Sequence, residues 1–152
     1  MPYECQLVDR AAQPAMIIRA RTPMLELPQV LGVAMGAIAE FLASREIQPT
    51  GAPFVAYHNM DMQDLDIEIG FPVAETVHGV MDVQPGEIPG GMAACTLHTG
   101  PYSKVSEAYD ALNVLITERS LQPTGVAYEF YLNDPMTTPE ERLQTEVVLP
   151  LK

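Results

Sequence analysis

One feature limits the folds open to this chain more than any other: part of it is written twice. The segments Ile47–Asn59 (IQPTGAPFVAYHN) and Leu121–Asn133 (LQPTGVAYEFYLN) share the run QPTG, with Gln48 and Gln122 separated by 74 residues. Tyr57 and Tyr131 keep that spacing, and so do Asn59 and Asn133. Asp66–Pro72 (DIEIGFP) resembles Gln144–Pro150 (QTEVVLP) at a spacing of 78, the additional residues falling in the Asp134–Arg142 loop. Upstream, Met16–Pro23 aligns with Ala94–Pro101, again at 78. Four matching letters could arise by chance; four letters with their flanking strands in register mean that one supersecondary unit occurs twice. Two copies make a closed pseudo-symmetric pair, not a solenoid. The expected copies are residues 1–82 and 91–152. The linker is 83–90, bounded by turn formers at Pro85-Gly86, Pro89 and Gly90-Gly91.

Each copy reads as a strand, a loop ending in proline, a helix, the QPTG turn and two further strands. Val30, Val33, Ala34, Ala37, Ile38, Phe41 and Leu42 recur at helical spacing and predict a helix over 29–46, with Pro28 near its start. Val105, Ala108, Tyr109, Leu112, Leu115 and Ile116 predict the second over 104–120, with Ser103 as N-cap. Predicted strands cover 6–9, 15–21, 54–59, 66–71, 75–82, 93–99, 128–132 and 143–149. The class is α+β: an antiparallel sheet with two helices on one face and a central ligand groove on the other. Alternate strand residues point to opposite faces. That parity assigns Phe54, Ala56, Tyr128 and Phe130 to the helix-packed face, and Val55, Tyr57, Glu129 and Tyr131 to the open one. Ile67, Ile69, Phe71, Val147 and Leu149 look core-facing, which sends Glu68 and Glu146 to the open face. Tyrosines beside a carboxylate suit a sheltered groove more than a solvated sheet surface.

The chain has 152 residues, 47% of them hydrophobic and 18% charged, which suits one globular domain. A formal net charge of −12 argues against direct nucleic-acid binding and against an anionic membrane surface, since both need basic patches. It is compatible with attraction of cationic ligands. No uninterrupted apolar run suggests a membrane span, and the start MPYECQLVDR lacks the basic and apolar regions of a signal peptide, so the expected location is cytoplasmic. Cys5 and Cys95 have no CxxC spacing and read as reduced, small apolar residues. His58, His78 and His98 share no metal-ligand spacing, and there is no P-loop, dinucleotide fingerprint or G-x-S-x-G; neither metal nor cofactor is expected. Thr138-Pro139-Glu140-Glu141 reads as a capped helical turn.

Three segments carry a resemblance to a known family. Tyr128–Pro135 (YEFYLNDP) followed by Thr138–Glu146, Asp66–Val73 (DIEIGFPV) as its first-copy counterpart, and His98–Val105 (HTGPYSKV) together resemble the GyrI-like small-molecule-binding domain. The same domain serves as effector-binding module of AraC-type and MerR-type multidrug regulators. The resemblance spans nearly the whole chain. It implies a duplicated strand-helix-strand-strand fold with a central groove and a groove-facing glutamate in an aromatic-Glu-x-Tyr strand. That glutamate is Glu129 here, with Tyr131 beside it; Glu68, Tyr57 and Tyr102 are the weaker carry-overs, and Val55 shares their strand face. The aromatic before the glutamate is often Trp in the family and is Tyr128 here. The implied ligand is a small organic molecule, hydrophobic and cationic or aromatic. The chain resembles stand-alone relatives of the transcription regulators, among which are hydrolases that open cyclopropane rings and a gyrase inhibitor. Hydrolysis (by Glu129 and Tyr131) and protein interaction therefore remain alternatives to binding.

Overall fold

The computed structural model describes residues 3–152. Eight strands and two α-helices are present among them, an α+β arrangement in which the strands within each compact unit pair antiparallel. Two compact units emerge among the described residues: residues 12–89, and residues 90–152 together with residues 3–11. In the first, β2 (Gln13–Thr22), α1 (Leu27–Ser44), β3 (Phe54–Tyr57), β4 (Leu65–Pro72) and β5 (Gln84–Ile88) pair in the order β3-β4-β2-β5. In the second, β1 (Gln6–Arg10), β6 (Gly91–Thr99), α2 (Ser106–Glu118), β7 (Ala127–Tyr131) and β8 (Gln144–Pro150) pair in the order β1-β6-β8-β7. Each unit thus carries one strand more than the expected repeat.

Two sequence expectations change here. The 83–90 segment, expected as a linker, contains β5, which completes the sheet of the first unit just as β1 completes that of the second. Gln84 pairs with Ile17 and Gln6 with Cys95, positions separated by 78 residues on both strands. Proline and glycine hid this strand from a propensity reading, but β5 lies at a sheet edge, where the missing N–H of Pro85 goes unused. Conversely 75–82, expected as a strand, holds only the bridge between Val80 and Val83.

Both helices start close to their expected positions. α1 buries Leu27, Ala34, Ile38 and Leu42; α2 buries Ala108, Leu112 and Ile116, the last three of each set being separated by 74 residues. A 3-10 turn, Tyr102–Lys104, precedes α2, so Ser103 lies inside that turn and makes no capping hydrogen bond. The expected turn after Pro139 is the 3-10 segment Glu140–Arg142, also without a side-chain cap. Met24–Ser44, mean hydropathy 1.4, is long and apolar enough to cross a bilayer by length and composition; here the helix packs on β2 and β4 of its own unit.

The repeated residues make the same bonds in both copies. Each helix ends on a left-handed residue, Glu46 or Ser120, with Ile47 N donating to Leu42 O and Leu121 N to Ile116 O. Each QPTG turn is pinned to the last strand of its copy, Thr50 N to Pro72 O and Thr124 N to Pro150 O. Gly125 needs its glycine freedom, with φ of +97°. Asn59 accepts from Asp66 N at 3.0 Å and donates to Asp64 O at 3.0 Å. Asn133 accepts from Gln144 N at 2.9 Å and donates to Arg142 O at 3.2 Å.

Candidate functional site

The strand registers decide which side chains meet. In the second unit, Glu129 lies opposite Val147, and Val147 opposite Thr96; Tyr131 lies opposite Thr145, and Thr145 opposite His98. Residues directly opposite in an antiparallel pair point to the same side. Glu129, Tyr131, Thr145, Val147, Thr96 and His98 therefore share one face. α2 covers that face, because Tyr109 of the helix donates its hydroxyl to Glu129 Oε2 at 2.5 Å. This reverses the parity expectation. Tyr128 and Phe130 occupy the other face, stacked at 6.2 Å, with the Arg10 guanidinium 5.5 Å from the Phe130 ring. The expectation failed because it took Val147 as core-facing and Glu129 as not, whereas the register puts the two on one side.

Glu129 is 8% exposed. Both of its oxygens accept a phenol: Tyr109 on Oε2, and Tyr131 on Oε1 at 2.9 Å. Tyr102 meets the Tyr131 ring edge-on at 5.6 Å and is 37% exposed, so the aromatic wall reaches solvent while the carboxylate beneath it is dry. Burial pushes the Glu129 carboxyl above its ordinary value; the hydroxyls of Tyr109 and Tyr131 pull it back. Burial, then the negative charges of Glu129 and Asp134, raise the Tyr102 phenol. The arrangement suits a single positive charge brought against Glu129 with apolar and aromatic surface around it.

His98, 3% exposed, is held at both ring nitrogens: Tyr3 Oη lies 2.8 Å from Nδ1 and the Pro101 carbonyl 2.9 Å from Nε2. Thr145 is fully buried, and its hydroxyl has no hydrogen-bond partner among the described residues. Along the β6 side of this unit runs a cavity of about 650 Å³, walled by Tyr3, Glu4, His98, Lys104, Glu107 and Glu146 among others. Cys95 also borders it, but burial raises its thiol and so favours the unreactive form.

Of the expected site residues, the fold brings Glu129, Tyr131 and Tyr102 together. Val55, Tyr57 and Glu68 belong to the other unit. There Val55 and Tyr57 lie opposite Ile69 and Ile67, on the register positions that Glu129 and Tyr131 hold in theirs. Glu68 instead shares a face with Ala56 and Arg19, pairs with Arg19 at 3.4 Å and lies 3.3 Å from His58 Nε2. Its counterpart Glu146 pairs with Arg10 at 3.3 Å. Neither Glu68 nor Glu146 is on the register positions of a Glu129-type site. Tyr109, His98 and Thr145 were not expected. The signal that finds them is a comparison of the copies, since the matching positions in the first unit hold Met35, Ala20 and Ile67, and that of Glu129 holds Val55. No group of His, Cys, Asp and Glu suited to a metal is present among the described residues.

Residues 3–152 match the GyrI-like small molecule binding domain. The chain belongs to that family. Among solved structures, the EcmrR C-terminal domain superposes on this GyrI-like chain with a TM-score of 0.85 at 19% identity, covering 100% of it and 99% of the other chain. EcmrR in its DNA complex gives 0.86 at 18% identity, and here the chain spans 57% of the EcmrR chain. A hydrolase from Listeria innocua gives 0.67 at 12% identity, covering 99% and 93%. SAV2435 bound to tetraphenylphosphonium gives 0.59 at 12% identity, covering 100% and 94%. No curated protein matches the sequence. At such identities the structures show the shared fold, and the GyrI-like domain's ligand has to be argued from its own side chains.

Proposed function

We propose that this GyrI-like domain binds a hydrophobic organic cation, with Glu129 as its charge partner and Tyr102 and Tyr131 as aromatic walls. One observation carries the reading: a buried carboxylate with two phenol donors stands where the other copy of the same unit has Val55. The first copy makes its helix-covered sheet face with apolar side chains at those positions, so the unit does not need a carboxylate to fold. Burying one without a cation is unfavourable, and a ligand that supplies the positive charge offsets that penalty.

Tetraphenylphosphonium, the ligand named for SAV2435, is the natural first probe. Titration by calorimetry should show saturable binding that Glu129→Gln weakens at least tenfold, equivalent to roughly 1.4 kcal/mol or more. Equal affinity in the two proteins would remove Glu129 from the contact. A carboxyl raised by burial is also suited to general-base chemistry. Turnover of an electrophilic ligand by the wild type, and not by Glu129→Gln, would move the reading from binding to hydrolysis.

A further inference from the structure

His98 has no role in the proposed cation site, yet on the Glu129 face it is held at both ring nitrogens. The Pro101 carbonyl can only accept a hydrogen bond, so His98 Nε2 carries a hydrogen. In the neutral ring Nδ1 is then the acceptor for the Tyr3 hydroxyl. One bond fixes the Pro101 turn from which Tyr102 extends to meet Tyr131; the other ties the ring to the N-terminal segment, where Thr96 Oγ1 also donates to Glu4 O at 2.9 Å. In the other copy this position is Ala20, and its strand still pairs in the same register. The unit therefore does not need an imidazole there to form its sheet.

We infer that His98 is a positioning residue that makes cation binding at Glu129 pH-dependent. This rests on the reading of Glu129 as the ligand's charge partner. With a second proton, Nδ1 can no longer accept from Tyr3, and the ring becomes a cation on the face that holds Glu129. An imidazolium and a cationic ligand are then two positive charges on one sheet face, so protonation and binding oppose each other, reciprocally. Imidazole is the side chain whose charge ordinarily changes between about pH 5 and 8. The charged and titratable groups bordering the same cavity as the ring are Tyr3 and Glu4 from the N-terminal segment, Cys95 from β6, Lys104 from the 3-10 turn, Glu107 from α2 and Glu146 from β8; on the sheet face that the ring shares are Tyr131 and Glu129 from β7, with Tyr109 of α2 bonded to Glu129. The cavity on which Tyr3 and His98 border gives protons a route to the ring.

His98→Gln isolates the effect, because an amide can donate to Pro101 and accept from Tyr3 without titrating. Tetraphenylphosphonium affinity is measured at pH 7.5 and 5.5 in wild type, His98→Gln and His98→Ala. The wild type should lose about fivefold or more on acidification beyond the loss seen in His98→Gln. His98→Gln should match wild type at pH 7.5, and His98→Ala should be weaker at both values. Equal losses in wild type and His98→Gln would overturn the inference. Nitrogen NMR of the histidine rings supplies a ligand-independent check: His98 should be the Nε2–H tautomer at pH 7.5, and the Nδ1–H tautomer would overturn the inference by itself. Failure of the Glu129 reading looks different: Glu129→Gln would bind as wild type does at pH 7.5.

Discussion

Glu129 is subject to two opposed influences. The dry face on which it sits disfavours its charge, and the hydroxyls of Tyr109 and Tyr131 favour it. The first is the larger, so the carboxyl's folded value lies above its unfolded one. A group raised in this way contributes stability that is fully present below its unfolded pKa and is lost as pH rises through the folded value. Glu129→Gln, which stays neutral, should therefore gain stability relative to wild type as pH rises from about 4 to 8, and urea midpoints of the two proteins across that range check it. A difference that does not grow with pH would contradict the assignment of burial as the dominant cause. Tyr109→Phe removes one of the two donors and should push the carboxyl further up, read from the carbon shift of the labelled glutamate side chain. A fall would mean that the Tyr109 bond does not favour the ionised form.

Within the elements, repeated residues turn out to make the frame. Asn59 and Asn133 hold the loops before β4 and β8 with equivalent pairs of bonds, and Thr50 and Thr124 pin the two QPTG turns. Asn59→Ala and Asn133→Ala should each cost about 1–2 kcal/mol in denaturant unfolding, one exposed and one half-buried hydrogen bond at ordinary net values. Costs differing by more than about 2 kcal/mol would mean that the two clamps are not equivalent. Helices, turns and most strands were legible because apolar spacing and turn chemistry are local signals. β5 was not, since Pro85 and Gly86 are poor strand formers that only an edge position tolerates. Strand faces were legible in parity but not in sign: alternation says which residues share a side, and only the partner's register, Glu129 against Val147, says which side the helix covers.

Across the whole molecule, duplication separates what folds from what recognises. Where the copies agree, the residues cap helices, close turns and clamp loops. Where they differ on the helix-covered face, one copy is apolar and the other carries Tyr109, His98, Glu129 and Thr145. Glu129 itself could be marked from the sequence through its family resemblance; Tyr109 was mistaken for part of an apolar stripe, because its hydroxyl partner lies 20 residues away, on a strand and not on the helix. The claim that this polar cluster serves a ligand and not the fold has one direct measurement. Tyr109→Met, His98→Ala, Glu129→Val and Thr145→Ile together give the second unit the first unit's own side chains. Replacing a buried polar network by apolar groups of similar size is often neutral or stabilising. The fourfold variant should unfold cooperatively, no less stable than wild type, with tetraphenylphosphonium affinity reduced at least tenfold. A variant that binds as wild type does, or one that cannot fold, would contradict the account.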